Sequence, residues 1–497
     1  MPVKALLRRV GCRLRADRGA LVVVVVAVIW FAVLALDVWR RHDRFDTFDN
    51  DLGFHTQFVW LLSRGHWFST IIGLSPFGHN ATFGYFLFVP LAWTGLPIAH
   101  VLNITQAAVI ALGVVPVYRI ARRRFGDEWI TATLPVVYLL HPVVAGNVWE
   151  TFHPEAMAMT ALLAAYDAAD ERRWKRFWVF GALAIVWKSD VALFLAVLAV
   201  VVAWRWDRRV GWRAFAIAGV WFLLATSVMI PSLSGGGTVY GGLYGDLGDS
   251  PQQVVQNSVS HPSRFVRRLR DGEPHVYYSD LAAPYAFVPV LSPISLLLGL
   301  PQNMISLLSD VEFTRDPVDN PHYQALPVVA LTVALVEGLA VVRRRRPKVL
   351  APLVVVVLAC AVASAMAEGP LPFGEKYGHF WSEDGDPLRH AKEHAVSMPG
   401  GDDVVSAQYR LVPHLAERRM IYSFPNPWRQ LFYGVDGTAR PDPARVEWLL
   451  LDESVLQPDE VPLLRCIIEA GTFEERYREG AIVVWQRNSR DPVDVAC

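Results

Sequence analysis

The sequence predicts an all-α polytopic membrane bundle followed by a small α/β domain outside the membrane. Three observations lead to this prediction. The chain of 497 residues is 53% hydrophobic and only 19% charged, which is little charge for a soluble protein. Apolar runs alternate with short basic blocks, as in chains that cross a membrane repeatedly. The last 130 or so residues instead alternate short strand-like and helix-like segments.

The membrane part is predicted to cover residues 1–366 and to cross the bilayer about 11 times, because apolar runs of near-spanning length follow one another through it. The runs lie at 20–37, 84–98, 99–119, 129–146, 155–169, 176–188, 190–205, 213–231, 285–310, 326–342 and 349–366. No small-residue cleavage site follows the first run, so we interpret it as an uncleaved span with its basic end in the cytoplasm.

Basic blocks set the sidedness, since Lys and Arg are enriched in cytoplasmic loops. They lie at 119–125, 171–176, 205–213 and 343–348. All of these blocks reach the cytoplasmic side only if the number of crossings between them is even. Run 84–98 must then be a re-entrant or interfacial helix that does not cross, and run 285–310 must be a hairpin. The sequence thus predicts a multi-pass protein of the plasma (inner) membrane, with a cytoplasmic N-terminus and an extracytoplasmic C-terminal domain.

Four polar regions should share the outer face: a first outer loop at 38–83, a short turn at 147–154, a Gly- and Ser-rich loop at 232–284, and the α/β domain at 367–497. The loop 232–284 is expected to be mobile and lacks the strand-then-helix context of a phosphate-binding loop. In the α/β domain we predict strands at "DVVSAQ", "MIYSF", "EWLLLDE" and "AIVVWQR", and helices at "LVPHLAERR" and "EVPLLRCIIEAG".

The amino-acid composition excludes few classes of function. Lys+Arg and Asp+Glu balance at 47 each, and no nucleic-acid partner is expected. The four cysteines show no metal-ligand spacing. The chain has no internal sequence repeat of the kind that marks many transporters.

The stretch "FDTFDNDLGFHTQFVW" (45–60) holds the first cluster of candidate site residues. Its helix-like spacing predicts that Asp51, His55 and Gln57 project toward one cavity, with Asp49 as a rival to Asp51. A carboxylate there can act as general base on a hydroxyl or bind a metal. The alternative is a polar linker at the membrane surface.

A second acidic cluster lies in "GNVWETFHPEAMAM" (146–159), where Glu150, His153 and Glu155 crowd a short outer turn. Such groups at the edge of a bilayer are costly unless they are paired or functional. We considered a divalent metal, the one cofactor in question, held by this turn together with Asp51. The spacing matches no standard zinc motif.

A lysine and an aspartate interrupt the apolar run near residues 186–194, "VWKSDVALF". Lys188 and Asp190 either form an ion pair in a hairpin turn, or Lys188 is a cation aimed at the phosphate of a lipid carrier. Further candidates for substrate contact are His79, in "GHNATFGYFLFVPLAW" (78–93), and His322 and Tyr323, in "DPVDNPHYQALP" (316–327). The alternative for these three residues is that they only lie at the membrane–water interface, as part of its aromatic belt.

Several segments in order resemble a family of prokaryotic membrane proteins, domain of unknown function 2079. They are "DLGFHTQFVW", "GHNATFGYFLFVPLAW", "TQAAVIALGVVPVYRIARRRFG", "FHPEAMAM", "KSDVALFL", "YGDLGDSP", "HYQALPVV" and "SAQYRLVPHLAERRMIYSFP". The arrangement in turn resembles the GT-C superfamily of integral-membrane glycosyltransferases. It departs from that superfamily in lacking an Asp-x-Asp at the end of the first outer loop, and its C-terminal domain lacks a carbohydrate-binding β-sandwich pattern.

The GT-C resemblance implies a catalytic acid in the first outer loop and a polyprenyl-phosphate-linked sugar as donor. On this basis Asp51 takes the place of the catalytic aspartate, and Asp49 is the rival. Glu150 and Glu155 lie where a second acidic outer loop is often found. Lys188 lies where enzymes similar to aminoarabinose transferases keep a lysine near the donor phosphate.

We therefore expect a membrane glycosyltransferase that works among membrane lipids. It would move a sugar from the lipid-linked donor to a glycan, lipid or protein of the cell envelope, on the outer face. Two alternatives stay open. One is a non-catalytic assembly protein with a degenerate transferase fold, and the other is a transporter of lipid-linked glycans.

Overall fold

The described chain is mostly α-helical, with one small sheet near its C-terminal end. The computed structural model describes residues 17–126, 128–235, 242–375, 386–435 and 437–488. The basic residues before position 17 that precede the first predicted span therefore lie outside the described part.

The helices up to residue 235 are α1 (Arg18–Asp43), α2 (Phe54–Ser63), α3 (Pro76–Asn80), α4 (Val89–Ala92), α5 (Ile98–Ala111), α6 (Val114–Phe125), α7 (Trp129–Leu140), α8 (Pro142–Trp149), α9 (Pro154–Asp170), α10 (Trp174–Ile185), α11 (Val191–Arg205), α12 (Arg208–Leu224) and α13 (Ile230–Leu233). Those after it are α14 (Pro251–Ser260), α15 (Pro262–Asp271), α16 (Pro274–Ala282), α17 (Pro293–Leu296), α18 (Leu300–Leu308), α19 (Ala325–Arg345), α20 (Pro347–Glu368), α21 (Arg389–Ser397), α22 (Val412–Leu415) and α23 (Glu460–Glu469). The strands are β1 (Val405–Ala407), β2 (Ile421–Ser423), β3 (Trp448–Asp452), β4 (Phe473–Glu479) and β5 (Ile482–Arg487).

Within the described residues, 5 helical segments are long and apolar enough to cross a membrane. They are Arg18–Asp43, Ile98–Phe125, Arg208–Leu233, Pro321–Arg345 and Pro347–Glu368. A sixth is reached if α7 and α8, which meet at a 47° bend, count as one span. Pro142, the first residue of α8, explains this bend, because proline cannot donate the backbone hydrogen bond that a continuous helix needs.

Among the described residues, 5 or 6 segments thus have the length and composition of a span, and the predicted 11 or so crossings stay a prediction. The predicted runs 155–169, 176–188 and 190–205 do form helices, α9 to α11, but these have only 17, 12 and 15 residues. A straight span needs about 20. The predicted hairpin 285–310 is divided into short helical pieces, of which α18 begins at Leu300.

The run 84–98 and the predicted loop 232–284 both contain short helices. Run 84–98 contains only short helical turns, Phe83–Leu87 and α4, as suits a segment that does not cross the bilayer. The loop predicted at 232–284 contains α14, α15 and α16. Proline at the first helical position starts each of these three helices, since its fixed φ is preorganised for a helix and its missing N–H is not needed there.

The chain divides into two compact units. The first contains Met1–Asp37, Thr105–Thr226 and Tyr240–Ser382. In this unit α19 is buried along most of its length and packs against α6, α9 and α20. Its side chains from Ala325 to Ala340 are buried, Glu337 included.

An ion-pair network ties three of these helices together at one end of the first unit. Arg124, on α6, places Nη2 2.6 Å from Glu337 Oε1 and 2.8 Å from Asp170 Oδ1. Arg123 pairs with Asp170 at 2.7 Å and with Asp167 at 2.7 Å. The block "RIARRRF", predicted from its charge to face the cytoplasm, thus also holds α6 against α9 and α19.

The second unit contains Val38–Ile104, Ser227–Val239 and Glu383–Cys497. Its five-stranded sheet has the order β2-β1-β3-β5-β4, in which β1 pairs parallel with β2 and β3, while β5 pairs antiparallel with β3 and β4. Apolar side chains on the sheet, on α23 and in the segment after β2 form the core of this unit, among them Tyr422, Trp428, Leu449, Ile467 and Trp485.

The segment Val38–Ile104, which contains the predicted first outer loop, is part of this second unit. Ile421 N donates to Thr70 Oγ1 at 2.8 Å, and Thr70 Oγ1 donates to the Ile421 carbonyl at 2.7 Å. Gly434 N donates to the Ile72 carbonyl at 2.7 Å. Residues near 70 therefore hydrogen-bond the edge strand β2, far away in the sequence, and cover backbone groups that an edge strand would otherwise expose.

Candidate functional site

The predicted acids of the first outer loop lie in a short π-helical turn, Asp49–Gly53, directly before α2. Asp49 is 6% exposed and accepts a hydrogen bond from the Ser423 hydroxyl. Burial raises the pKa of Asp49 to about 6, because a charged carboxylate loses its hydration there. Asp51 is only partly buried. Of the two acids, Asp51 is the more accessible to a substrate.

His55 lies on the first turn of α2 and is buried. Its Nδ1 is 2.5 Å from the Tyr85 hydroxyl. The ring of Phe54 is 4.0 Å from the His55 ring and 5.2 Å from that of His79, and His79 Nδ1 is 3.0 Å from Asn80 Nδ2. The sequence placed His55 and His79 in separate clusters, and the fold brings both against one phenylalanine.

Gln57 is fully buried, and its side-chain amide is hydrogen-bonded within the second unit. Its Oε1 accepts a hydrogen bond from Ser69 Oγ at 2.6 Å, and its Nε2 donates to Thr70 Oγ1 at 3.2 Å and to the Arg418 carbonyl at 3.3 Å. The buried amide therefore has a structural role, because it holds residues 69 and 70 inside the second unit.

Three histidines that no sequence pattern groups also meet in the second unit. The rings of His42 and His414 stack with centroids 4.1 Å apart, and that of His100 meets His42 edge-on at 4.9 Å. Burial lowers the pKa of His414 to about 3, so this ring is neutral at physiological pH. The only available signal was that His42 and His100 each lie at the end of an apolar run.

The second acidic cluster lies in the first unit, where α8 ends and α9 begins. Glu150 follows α8, His153 precedes α9, and Glu155 is in the first turn of α9. His322, in the helical turn before α19, joins them: its Nδ1 is 2.5 Å from Glu150 Oε1, and its backbone N–H donates to Glu150 Oε2 at 3.0 Å. The rings of His153 and His322 stack at 4.1 Å.

Gln106, which sequence reasoning missed, holds the turn that carries these groups. It accepts a hydrogen bond from the backbone N–H of His153 at 2.7 Å and donates to the carbonyls of Asn147 and Thr151, both at 2.5 Å. A Cβ on Gly146 would come within 2.9 Å of Pro321. Only glycine thus allows α8 to approach the His322 turn this closely.

Lys188 is paired with two carboxylates. Its Nζ lies 2.9 Å from Glu155 Oε1 and 3.7 Å from Asp190 Oδ2. The side chains of Lys188 and Glu155 are 12% and 7% exposed. The structure therefore shows the local ion pair that was one of the two interpretations of "VWKSDVALF", and it adds Glu155 to that pair.

Two tyrosines border this cluster. Tyr323 packs its ring 3.9 Å from that of His322, while Tyr244, from the segment after residue 242, interacts with Asp190. Burial raises the pKa of Tyr244 to about 12, so its hydroxyl keeps its proton and can donate a hydrogen bond. Within the first unit the structure thus groups all the predicted residues from Glu150 to Tyr323. Asp49, Asp51, His55 and His79 belong to the second unit.

The comparison with solved structures shows which folds this chain is similar to. ArnT from Cupriavidus metallidurans in the apo state matches with a TM-score of 0.54 and 14% identity, over 95% of this chain and 98% of that chain. The same protein bound to undecaprenyl phosphate matches with a TM-score of 0.50 and 14% identity, over 92% of this chain and 97% of that chain. The archaeal oligosaccharyltransferase AglB of Archaeoglobus fulgidus matches with a TM-score of 0.43 and 12% identity, over 97% of this chain and 75% of that chain. The fold resembles the GT-C type, as the sequence predicted.

The sequence comparison then gives the family. Residues 41–479 match the family described as "Predicted membrane protein (DUF2079)". The chain belongs to this family of predicted membrane proteins. No curated protein matches the sequence.

Proposed function

We propose that the chain is a membrane glycosyltransferase of GT-C type. It would move a sugar from a polyprenyl-phosphate-linked donor to a glycan, lipid or protein of the cell envelope, on the outer face of the plasma membrane. The observation that carries this proposal is the fold shared with ArnT over 92% of the chain, in a structure that holds undecaprenyl phosphate. Since one fold hosts several functions, the site residues must support the same chemistry.

Asp51 is the proposed general base. It is partly buried on a rigid turn, which suits a group that must meet a substrate and keep its position. The acceptor oxygen would bond to the anomeric carbon of the sugar while the bond from that carbon to the phosphate oxygen breaks. The acceptor proton would pass to Asp51, and the electron pair would leave with the lipid phosphate.

Lys188 is the proposed phosphate ligand of the first unit. A lysine binds phosphate as a compact charge with three N–H donors. Because Lys188 is paired with Glu155, an incoming phosphate has to share or replace that carboxylate. We therefore expect Lys188→Ala to raise the KM for the lipid donor more than it lowers kcat, and Lys188→Arg to restore part of the loss.

The experiment that tests the proposal is sugar transfer by the purified full-length protein in detergent. A panel of radiolabelled polyprenyl-phosphate sugars is offered together with cell-envelope acceptors. Wild type is compared with Asp51→Asn, and Asp271→Asn, at an exposed position of the first unit, is the matched control. We expect transfer by wild type and the control and, since a general base contributes roughly 10²–10⁴-fold, a loss of this order in Asp51→Asn.

The other outcomes also decide between hypotheses. Equal transfer by wild type and Asp51→Asn would exclude Asp51 as the base and direct attention to Asp49 or to the Glu150–His322 pair. If no donor in the panel supports transfer, the proposal is contradicted, and the non-catalytic assembly protein becomes the preferred interpretation. Movement of a lipid-linked glycan across vesicles without transfer would favour the transporter.

A further inference from the structure

Three side chains of the first unit offer metal-ligand atoms close to one point. One ligand atom each from Glu150, His153 and His322 lies within 4.8 Å of the others. Two ligands of one tetrahedral zinc ion, each about 2.0–2.2 Å from it, are roughly 3–3.5 Å apart. Movements of about 1 Å or less would therefore bring the three atoms onto a single ion. We infer that Glu150, His153 and His322 bind one divalent transition-metal ion of the zinc class.

The orientation of the rings fits this assignment. His153 Nδ1 lies 3.4 Å from the Thr151 carbonyl oxygen, which favours the tautomer with its proton on Nδ1 and leaves Nε2 as the ligand atom. Metal-binding histidines commonly donate their second ring nitrogen to a carbonyl or carboxylate in this way. His322 Nδ1 lies 2.5 Å from Glu150 Oε1, so two of the three ligand side chains already meet side by side.

The three ligands are also held in place before any ion arrives. They come from the ends of three packed elements, and Gln106 fixes the backbone N–H of His153. The Asn147 side chain donates to the Pro321 carbonyl at 3.0 Å, next to His322. A preformed ligand set loses less conformational entropy when it binds, so the site should bind tightly.

The charge of the surroundings favours a cation. Three carboxyl groups, of Glu150, Glu155 and Asp190, lie in this cluster with a single lysine, Lys188. Glu155 lies near both imidazoles as well as near Lys188. Carboxyl groups thus outnumber basic side chains in a mostly buried place, where uncompensated negative charge is costly. A divalent cation would compensate for it.

The ligand types select the kind of metal. Calcium and magnesium prefer sites made of oxygen atoms alone, whereas two imidazole nitrogens and one carboxylate oxygen are a known ligand set of zinc enzymes. Three protein ligands leave one position of a tetrahedral ion for water or for an oxygen of a substrate. The inference stands on this geometry and does not depend on the proposed transferase activity.

Metal content of the purified protein tests the inference. The full-length protein is prepared in detergent with a tag that binds no metal, loaded with Zn²⁺, desalted and measured by plasma mass spectrometry. We compare wild type with Glu150→Gln, His153→Gln and His322→Gln. The matched control is His275→Gln, since His275 is an exposed histidine of the same unit. We expect about one zinc per chain in wild type and control, and less than roughly a tenth of that in each ligand variant.

A second measurement keeps the test decisive if a variant fails to fold. Removal of metal from the wild type with a chelator should lower its thermal unfolding temperature, and added Zn²⁺ should restore it. Co²⁺ bound in place of Zn²⁺ should give the visible absorption of a tetrahedral site. The inference is overturned if the loaded wild type holds no stoichiometric metal, or if Glu150→Gln and His322→Gln keep it. None of these readouts needs a sugar donor, so they are separate from the test of transfer.

Discussion

At Asp49, burial changes the acid–base chemistry of a carboxyl two positions from the proposed base. Its pKa in the folded protein is about 6, against an ordinary value of 3.8. The folded state therefore holds this proton more tightly than the unfolded state. The resulting stabilisation is complete below pH 3.8 and is lost as the pH rises through about 6. Asp49 is thus better suited to a structural role, bonded to Ser423, than to the role of an ionised base.

Asp49→Asn should remove this pH dependence. The amide resembles the neutral carboxyl, so the variant should gain stability relative to wild type between pH 4 and pH 7, by about 3 kcal/mol for a shift of roughly two pKa units. Thermal unfolding in detergent at a series of pH values measures the difference. Asp51→Asn, in the same turn but less buried, is the control and should change the profile much less. A constant difference between wild type and Asp49→Asn at every pH would contradict the raised pKa.

The candidate site shows what a sequence can and cannot predict at this scale. Glu150, His153 and Glu155 were grouped correctly because they are neighbours in one short turn. The contact of His322 with Glu150 was not predictable from the sequence, since 172 positions separate the two residues. The contacts among His42, His100 and His414 were not predictable for the same reason. Periodicity along a helix finds partners three or four positions apart, whereas tertiary packing decides these longer pairings.

At the scale of the helices, the mostly buried side chain of Arg124 holds α6 against α9 and α19 through ion pairs. The Arg124 and Glu337 side chains are 20% and 9% exposed. Removal of one partner leaves the other charge poorly compensated in a place with little water, which typically costs about 3–5 kcal/mol. An exposed pair contributes far less.

Arg124→Ala should therefore lower the stability of the protein markedly. We expect a loss of about 3 kcal/mol, measured as a lower unfolding temperature in detergent. Arg173→Ala is the matched control, because Arg173 pairs with Glu171 while 52% of its side chain is exposed, and its loss should stay below about 1 kcal/mol. The double variant Arg124→Met with Glu337→Met should recover most of the stability. Equal effects of Arg124→Ala and Arg173→Ala would refute this role.

Most elements of the sheet were predictable, and the exceptions have physical reasons. The four predicted strands correspond to β1, β2, β3 and β5. Strand β4, "FEERYRE", was missed because its side chains are mostly charged and exposed, as is common in edge strands. The predicted helix "LVPHLAERR" is reduced to the single turn α22. The helices α9 to α11 were identified, but their short lengths leave the number of crossings a prediction.

For the whole molecule, the second unit crosses the predicted domain boundary. The sequence predicts a small soluble domain at 367–497, and the compact unit of the structure contains Glu383–Cys497 together with Val38–Ile104 and Ser227–Val239. Gln57, Thr70 and Ile72 all hydrogen-bond residues after 417. The C-terminal segment alone would leave these backbone groups without their partners.

A fragment of residues 386–488 should consequently fold poorly by itself. We expect rapid proteolysis and a poorly dispersed amide NMR spectrum, because buried polar groups left unsatisfied cost about 1–3 kcal/mol each. The control is the same segment within the full-length protein, which should resist the protease under the same conditions. A stable fragment with a dispersed spectrum would show that 367–497 is an independent domain after all.

The topology of the membrane part can be tested with reporters. The proposed orientation places residue 488 outside and the basic block 343–348 inside. Alkaline phosphatase fused after residue 488 should be active, and green fluorescent protein fused there should be dark. Fusions after residue 346 should give the reverse. The same result at both positions would mean that the segment Pro347–Glu368 does not cross the membrane.

The pairing of Thr70 with Ile421 has a consequence for biosynthesis. The two residues are 351 positions apart, and a ribosome adds about 5–20 residues per second. The turn that carries Asp49 and Asp51 must therefore wait roughly 20–70 s after its own synthesis before its hydrogen-bond partners exist. During that interval the emerging protein presents an unfinished outer segment to chaperones and proteases. A chain stalled before residue 421 would be marked for degradation however well its helices had inserted.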